Sequence, residues 1–161
     1  MTFRKHPEYL EYFSRASLVS YAPAIFFAIL LVGVVIHMNA PTPFLPQVIG
    51  WGVGAFLLLV SPIITIWALR VRRTLYIPVM ERTCTNFDVG PYRTSRHPVY
   101  VGFLFMLIGF GLVINSLIMM LLVLALFVFF TAFVIPEEEK ELGNQCPEVY
   151  TDYKKRVRMW L

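Results

Sequence analysis

Charge is what this sequence of 161 residues has least of, and the shortage is concentrated in two long stretches. No Asp, Glu, Lys or Arg lies between Arg15 and Arg70, and none lies between Arg96 and Glu137. Only 15% of the residues are charged and 58% are hydrophobic, whereas a soluble domain is about a quarter charged and half apolar. The two stretches exclude a water-soluble globule, a disordered chain and a small secreted disulfide scaffold. The sequence therefore predicts an integral membrane protein.

Three prolines divide the first uncharged stretch at residues 39–46, because proline cannot continue a helix interior. The division leaves Leu18–Met38 and Val48–Leu69, each close to the ~20 residues that cross a hydrocarbon core of about 30 Å. A signal peptide is the alternative interpretation of the first segment. Its apolar run is longer than is typical of signal peptides, and no A-x-A-like cleavage site follows it.

A weaker break at residues 115–116 divides the second uncharged stretch into Val99–Ile114 and Leu117–Ile135. A single long helix is the alternative, but it would overshoot the bilayer. The predicted fold is an all-α, polytopic membrane bundle of four transmembrane helices, the third and fourth forming a tight hairpin. A cytoplasmic loop and an amphipathic C-terminal helix complete a single membrane domain over residues 1–161, in which residues 1–70 hold two generic spans.

The charged residues predict the orientation of the bundle. All 14 Lys and Arg residues fall before the first span, between the second and third spans, or after the fourth. With four spans these regions share one side, and the positive-inside rule makes that side cytoplasmic, together with both termini and all polar chemistry. The net charge of +4 then reflects topology, so no nucleic-acid partner is predicted.

The two cysteines, Cys84 and Cys146, both fall on the side predicted to be reducing, so we expect no disulfide. They lack a CxxC spacing or a neighbouring histidine, so no metal site is predicted. The sequence also lacks a P-loop, a GxGxxG fingerprint, an HExxH motif and a nucleophile elbow.

A first polar stretch, Gly90–Gly102, leads directly into the third predicted span. Pro98 suits the first turn of a helix, which puts Arg96 and His97 at its amino-terminal end. Unpaired N–H groups and the helix dipole make that end a site for an anion such as a carboxylate. A Gly-Pro turn brings Tyr92 close to the same place, although anchoring at the membrane interface explains Tyr92 about equally well.

A second polar stretch, Pro136–Leu142, follows the fourth span. We expect Glu137, Glu139 and Glu141 to form a solvated face. A carboxylate that faces the first stretch would complement a ligand ammonium group. Because the hairpin brings both stretches to the same place, the residues predict a site for a zwitterionic small molecule.

The C-terminal tail is predicted to form an amphipathic helix on the membrane surface. Its basic run, residues 154–156, is placed to touch the headgroups of membrane lipids. Tyr150, Tyr153 and Arg156 recur every three residues and so share one helical face. The apolar, bilayer-facing side is predicted to consist of Leu142, Val149, Val157 and Trp160.

Residues 83–157 resemble the isoprenylcysteine carboxyl methyltransferase and phospholipid methyltransferase superfamily of integral membrane enzymes. The resemblance implies S-adenosyl-L-methionine as the methyl donor, bound from the cytoplasmic side. It also implies a lipophilic acceptor that enters from the bilayer, an isoprenylcysteine-type carboxylate or a related lipid or small molecule. No obligate protein partner is evident from the sequence. The motifs that carry the resemblance are Gly90-Pro-Tyr, Arg96-His-Pro-x-Tyr-x-Gly102, Ile135-Pro-Glu-Glu-Glu-x-x-Leu142 and Tyr150-x-x-Tyr-Lys-Lys-Arg-Val157.

The resemblance also implies site residues. Arg96 and Arg156 are implied as catalytic or substrate-orienting arginines. The sequence departs from the family pattern at Val134, where prenylcysteine enzymes have a substrate-contacting arginine, and at Cys146-Pro147, where they have Phe-Gly. The implied cofactor-binding residues are Cys84, Thr85, Asn86, Phe87, Tyr92, His97, Pro98, Val99, Tyr100 and Glu138.

Two other functions remain open from the sequence. Membrane sterol reductases share an Arg-His-x-x-Tyr loop and an acidic tail but use NADPH. A small membrane scaffold with a degenerate site is the non-enzymatic alternative.

Overall fold

The computed structural model describes residues 17–75 and 87–161, and within these ranges the chain is helical and contains no strand. A 3-10 turn at Gly90–Arg93 precedes the third helix, and a π-helical turn at Phe130–Val134 joins the fourth helix to the fifth. The α-helices are α1 (Ser17–Asn39), α2 (Gln47–Leu75), α3 (Pro98–Val113), α4 (Leu117–Phe129), α5 (Ile135–Gln145) and α6 (Pro147–Arg156). The all-α class is confirmed.

Two helical segments are long and apolar enough to cross a membrane, Gln47–Val71 and Leu117–Asn144. Two shorter apolar helices, Pro23–Asn39 and Pro98–Val113, accompany them. The helices therefore form where the uncharged stretches predicted them. Length and composition support membrane insertion of two helices, and the count of four spans stays a prediction.

The two uncharged connections meet at one end of the bundle. Asn115 has a φ of 53°, and the backbone N–H of Ser116 donates to the carbonyl of Gly111 (3.0 Å), which ends α3. The Asn115 carboxamide oxygen accepts from the N–H groups of Phe44 and Leu45, at 3.1 Å each. Helices α3 and α4 are thus joined by a tight turn, which is held against the proline-rich connection.

Helices α2 and α3 pack closely through glycines. A Cβ on Gly54 would lie 2.7 Å from the carbonyl oxygen of Gly109, and one on Gly50 would lie 2.6 Å from that of Leu112. Gly50 and Gly54 are one turn apart on the same face, the small-x-x-x-small spacing that lets membrane helices approach each other. This packing holds α3, and with it the polar stretch at its start, against α2.

Gly54→Ala is expected to lower the free energy of unfolding by about 1–3 kcal/mol, because its Cβ forces α2 and α3 apart. The matched control is Gly52→Ala, since nothing lies within 4 Å of a Cβ at Gly52. An alanine there is expected to be neutral or to stabilise the helix by about 0.5–1 kcal/mol. Thermal unfolding in detergent measures both variants, and equal midpoints would contradict close packing at Gly54.

The fourth apolar helix does not end at Ile135, where its pattern ends, but continues to Gln145. Pro136 lacks an N–H and its ring would clash with a carbonyl of the preceding α-helical turn. The wider π-helical turn accommodates it, with the N–H of Ile135 donating to the carbonyl of Phe130. The glutamates of the second polar stretch therefore lie on a helix that is continuous with the bundle.

Helix α6 packs its apolar face against the protein. The prediction that Val157 and Trp160 face the bilayer from this helix is wrong, because Val157 is buried within the protein and Trp160 lies beyond the helix end. The Trp160 ring instead packs on Phe127 of α4, at 4.9 Å between ring centroids. The cluster under α6 consists of Cys146, Tyr150, Tyr153 and Val157, with Phe87 and Leu142 against it.

Candidate functional site

The start of α3 is held by the C-terminal tail. The Arg96 N–H donates to the carbonyl of Arg158 (2.9 Å), and the Ser95 hydroxyl donates to the carbonyl of Met159 (3.1 Å). The same hydroxyl accepts from the N–H of His97 (3.2 Å), which precedes the first helical residue. The tail thus fixes the backbone from which Arg96 and His97 extend.

Glu139 of α5 lies at the centre of a cationic cluster. Its Oε1 is 2.6 Å from Arg96 Nη1 and 3.3 Å from His97 Nε2, and its Oε2 is 2.7 Å from Lys154 Nζ. Burial by itself raises the pKa of Glu139, but the hydrogen bonds from His97 and Lys154 and the charge of Arg96 lower it to about 2. The prediction that Glu139 belongs to a solvated face is therefore wrong, because its side chain is only 6% exposed.

Glu138, the carboxylate implied by the family resemblance, faces the same helix start. Its Oε2 accepts from the Tyr100 hydroxyl (3.1 Å) and lies 3.6 Å from His97 Nδ1. Burial lowers the pKa of His97, but the hydrogen bonds and charges of Glu138 and Glu139 outweigh burial and raise it. The two glutamates thus stabilise the protonated form of the ring relative to a histidine in water.

Aromatic rings connect the residues before α3 to helix α6. The Phe87 ring contacts Tyr150 edge-on, at 5.7 Å between centroids, and Tyr153 at 5.6 Å. The Tyr153 hydroxyl donates to the carbonyl of Tyr92 (2.8 Å). Lys154 Nζ lies 5.9 Å from the centre of the Tyr150 ring and is also paired with Glu139. The aromatic rings of Phe87, Tyr150 and Tyr153 therefore lie close to Glu139.

Tyr150 and Tyr153 are the site residues that sequence reasoning missed. Both are buried, and both adjoin Phe87, which the family resemblance implies as cofactor-binding. Their spacing on one helical face was visible in the sequence. What they face was not, because the partner residues precede them by more than 50 positions.

Arg156 lies on the outer side of this cluster. Its Nη1 is 3.2 Å from Asp88 and its Nη2 is 3.2 Å from Asp152, with 45% of its side chain exposed. The described ion pairs of Arg156 are with these two aspartates and not with Glu138 or Glu139. Its catalytic role stays a prediction.

The remaining predicted residues divide into two groups. Pro98 and Val99 are buried in the first turn of α3. The positions of Cys84, Thr85 and Asn86 lie outside the described residues. Cys146 is disulfide-bonded, so the expectation of reduced cysteines is wrong for it.

The described chain is an apolar helical bundle with a buried polar site at one end, which is the architecture of a membrane-embedded enzyme or binding protein. The phospholipid methyltransferase family model matches residues 48–145, more than half of the chain, and the protein belongs to that family. No curated protein and no solved structure matches the chain.

Family membership identifies a membrane methyltransferase and confirms the superfamily that the motifs indicated. The matched region begins at Val48, so it includes α2, which the sequence pattern alone had marked as generic. It ends at Gln145, before helix α6 and the two buried tyrosines that this helix carries.

Proposed function

We propose that the protein is an S-adenosylmethionine-dependent methyltransferase that acts on a lipophilic acceptor at the charged end of the bundle. The observation that carries this proposal is the convergence of two polar stretches, whose contacting residues are 38 or more positions apart. Tyr100 donates to Glu138, and Arg96 and His97 contact Glu139. Cations and carboxylates thus lie side by side in a buried site, which is the complement of a zwitterion.

The side chains present fit the amino-acid end of S-adenosylmethionine. Its carboxylate suits Arg96 and the amino-terminal end of α3, since both offer donors and positive potential. Its ammonium group suits Glu138. Glu139 fits that role less well, because Arg96 and Lys154 are already paired with it and His97 also contacts it.

The cofactor, when bound, supplies an activated methyl group on a sulfonium centre. The chain then has little covalent chemistry to perform, and proximity and orientation supply about 7 kcal/mol or more of the barrier reduction. The His97 ring nitrogens lie beside Glu138 and Glu139, so we expect the ring to orient a ligand by hydrogen bonding and not to act as a general base. A carboxylate or thiolate acceptor needs no such base.

The acceptor and the membrane orientation complete the proposal. The positive-inside rule favours a cytoplasmic location for the charged end, where the water-soluble cofactor has access. The acceptor enters from the bilayer between apolar helices. Val134, which stands where prenylcysteine enzymes have arginine, is fully buried and offers no charge to an acceptor carboxylate.

Titration calorimetry of the purified protein in detergent tests this function. We expect S-adenosylhomocysteine to bind with a micromolar-range dissociation constant and NADPH not to bind. Labelled S-adenosylmethionine supplied with a total lipid extract is expected to transfer its methyl group to a lipid fraction. Binding of NADPH alone would establish the reductase alternative, and absence of both binding and transfer would establish a scaffold.

A further inference from the structure

Two tyrosines on helix α6 have the same burial but different hydrogen bonding. Tyr150 and Tyr153 are each 2% exposed and both contact the Phe87 ring. The Tyr153 hydroxyl donates to the carbonyl of Tyr92 at 2.8 Å. The Tyr150 hydroxyl is buried and has no hydrogen-bond partner in the described part of the chain.

Folding alone does not explain a hydroxyl at Tyr150. A buried polar group without a partner loses its hydration and receives nothing in return, so phenylalanine would be the more stable residue there. The contacts that hold the Tyr150 ring, with Phe87 and with Lys154, involve only the ring itself. Such an unsatisfied group in a native protein calls for an explanation, and a bound ligand is one.

A second buried donor without a hydrogen-bond partner in the described chain belongs to Arg96, beside Glu139. Arg96 Nε is buried without a hydrogen-bond partner among the described residues. Arg96 Nη1 approaches Glu139 Oε1 to 2.6 Å, but its N–H groups are not directed at that oxygen, so the contact is ionic. Arg96 and Tyr150 both adjoin the ion pair between Lys154 and Glu139. Lys154 Nζ lies 2.7 Å from Glu139 and 5.9 Å from the centre of the Tyr150 ring.

We propose that the Tyr150 hydroxyl and the Arg96 Nε–H together form a two-donor site for an anionic oxygen of a bound ligand. The Arg96 Nε–H can only donate and the Tyr150 hydroxyl can donate beside it, so the pair suits a group that accepts hydrogen bonds. Carboxylates and phosphates are such groups, and the charge of Arg96 favours both. Burial and the nearby charge of Glu139 raise the pKa of Tyr150, which keeps its hydroxyl protonated at neutral pH.

The anionic oxygen has two possible sources, the carboxylate of the methyl donor and the phosphate of a lipid acceptor. The identification of these sources rests on the proposed function. The two donors themselves do not depend on it, because they are properties of the described side chains. Tyr150 is thereby assigned as a ligand-binding residue outside the region that the family model matches.

The test compares Tyr150→Phe with its matched control Tyr153→Phe, first by thermal unfolding without ligand. Tyr150→Phe is expected to leave the midpoint unchanged or to raise it, because it removes an unsatisfied hydroxyl. Tyr153→Phe is expected to lower the midpoint, because it leaves the carbonyl of Tyr92 without its donor. A lowered midpoint for Tyr150→Phe would overturn the proposal, since its hydroxyl would then have a structural partner.

Ligand binding is the second arm of the test. Calorimetry with S-adenosylhomocysteine, its analogue without the carboxylate, and a short-chain phosphatidic acid distinguishes the two sources. Tyr150→Phe is expected to weaken the binding of one anionic probe at least tenfold. Its affinity for the analogue without the carboxylate is expected to stay within twofold of the wild-type value. Unchanged binding of both anionic probes, or failure of the wild type to bind either, would overturn it. Binding of phosphatidic acid alone would support the two-donor site while contradicting the proposed cofactor.

Discussion

Glu139→Gln is expected to lower the free energy of unfolding by about 3 kcal/mol, which corresponds to roughly 10 °C in the thermal midpoint. The amide keeps the size of the side chain but removes the charge that Arg96, His97 and Lys154 share. Arg96 is only 10% exposed, so its guanidinium cannot recover hydration in place of the lost carboxylate. Unfolding followed by circular dichroism in detergent measures the effect.

Glu137→Gln is the matched control, because Glu137 lies two residues away on the same helix and is exposed. It is expected to shift the midpoint by little. Equal losses from the two variants would contradict a structural role for Glu139 alone.

The pH dependence of stability gives a second measurement on Glu139. Its pKa is lowered from an ordinary value of 4.5 to about 2, so its contribution is present above pH 4.5. That contribution is lost as the pH falls from 4.5 through 2, because the folded state must then take up a proton it disfavours. Glu139→Gln is expected to remove this part of the acid destabilisation.

Glu138→Gln is expected to weaken the binding of S-adenosylhomocysteine about 30- to 100-fold, the equivalent of ~2–3 kcal/mol for a hydrogen bond to a charged group. The glutamine oxygen can still accept from the Tyr100 hydroxyl, so the local geometry is kept while the negative charge is lost. A ligand ammonium group then has no full charge opposite it. Titration calorimetry measures the loss of affinity.

Glu141→Gln controls for the charge of α5, and it is expected to change the affinity less than twofold. The Glu138→Gln variant is also expected to be more stable than Glu139→Gln, since Glu139 is the carboxylate with which Arg96 and Lys154 are paired. If Glu141→Gln proves as damaging to binding as Glu138→Gln, Glu138 is not the residue that binds the ammonium group.

The difference between Glu138 and Glu139 shows where sequence reasoning ends. Adjacent helical residues point about 100° apart, so the phase of the helix determines which glutamate faces α3. The π-helical turn at Phe130–Val134 widens one turn and changes that phase. No hydrophobic pattern specifies the phase of a polar helix after such a turn. The sequence motifs therefore identified the glutamate stretch but assigned Glu139 to the wrong surroundings.

Contacts between residues that are distant in sequence could not be predicted from the sequence pattern either. The spacing of Tyr150 and Tyr153 predicted one shared face, but their different hydrogen bonding depends on where the carbonyl of Tyr92 lies. The environment of Cys146 likewise depends on the packing of α6 and on a disulfide bond, which the predicted topology argued against.

The sequence by itself determined the helical class, the position of the turn at Asn115, and the family. Each of these follows from local pattern, because uncharged runs, prolines and motif spacing act over short distances along the chain. Only the tertiary structure decided that Glu139 is buried among cations and that Tyr150 is left without a partner. These facts depend on helix phase and on contacts between α3, α5 and α6, which are set by packing in three dimensions.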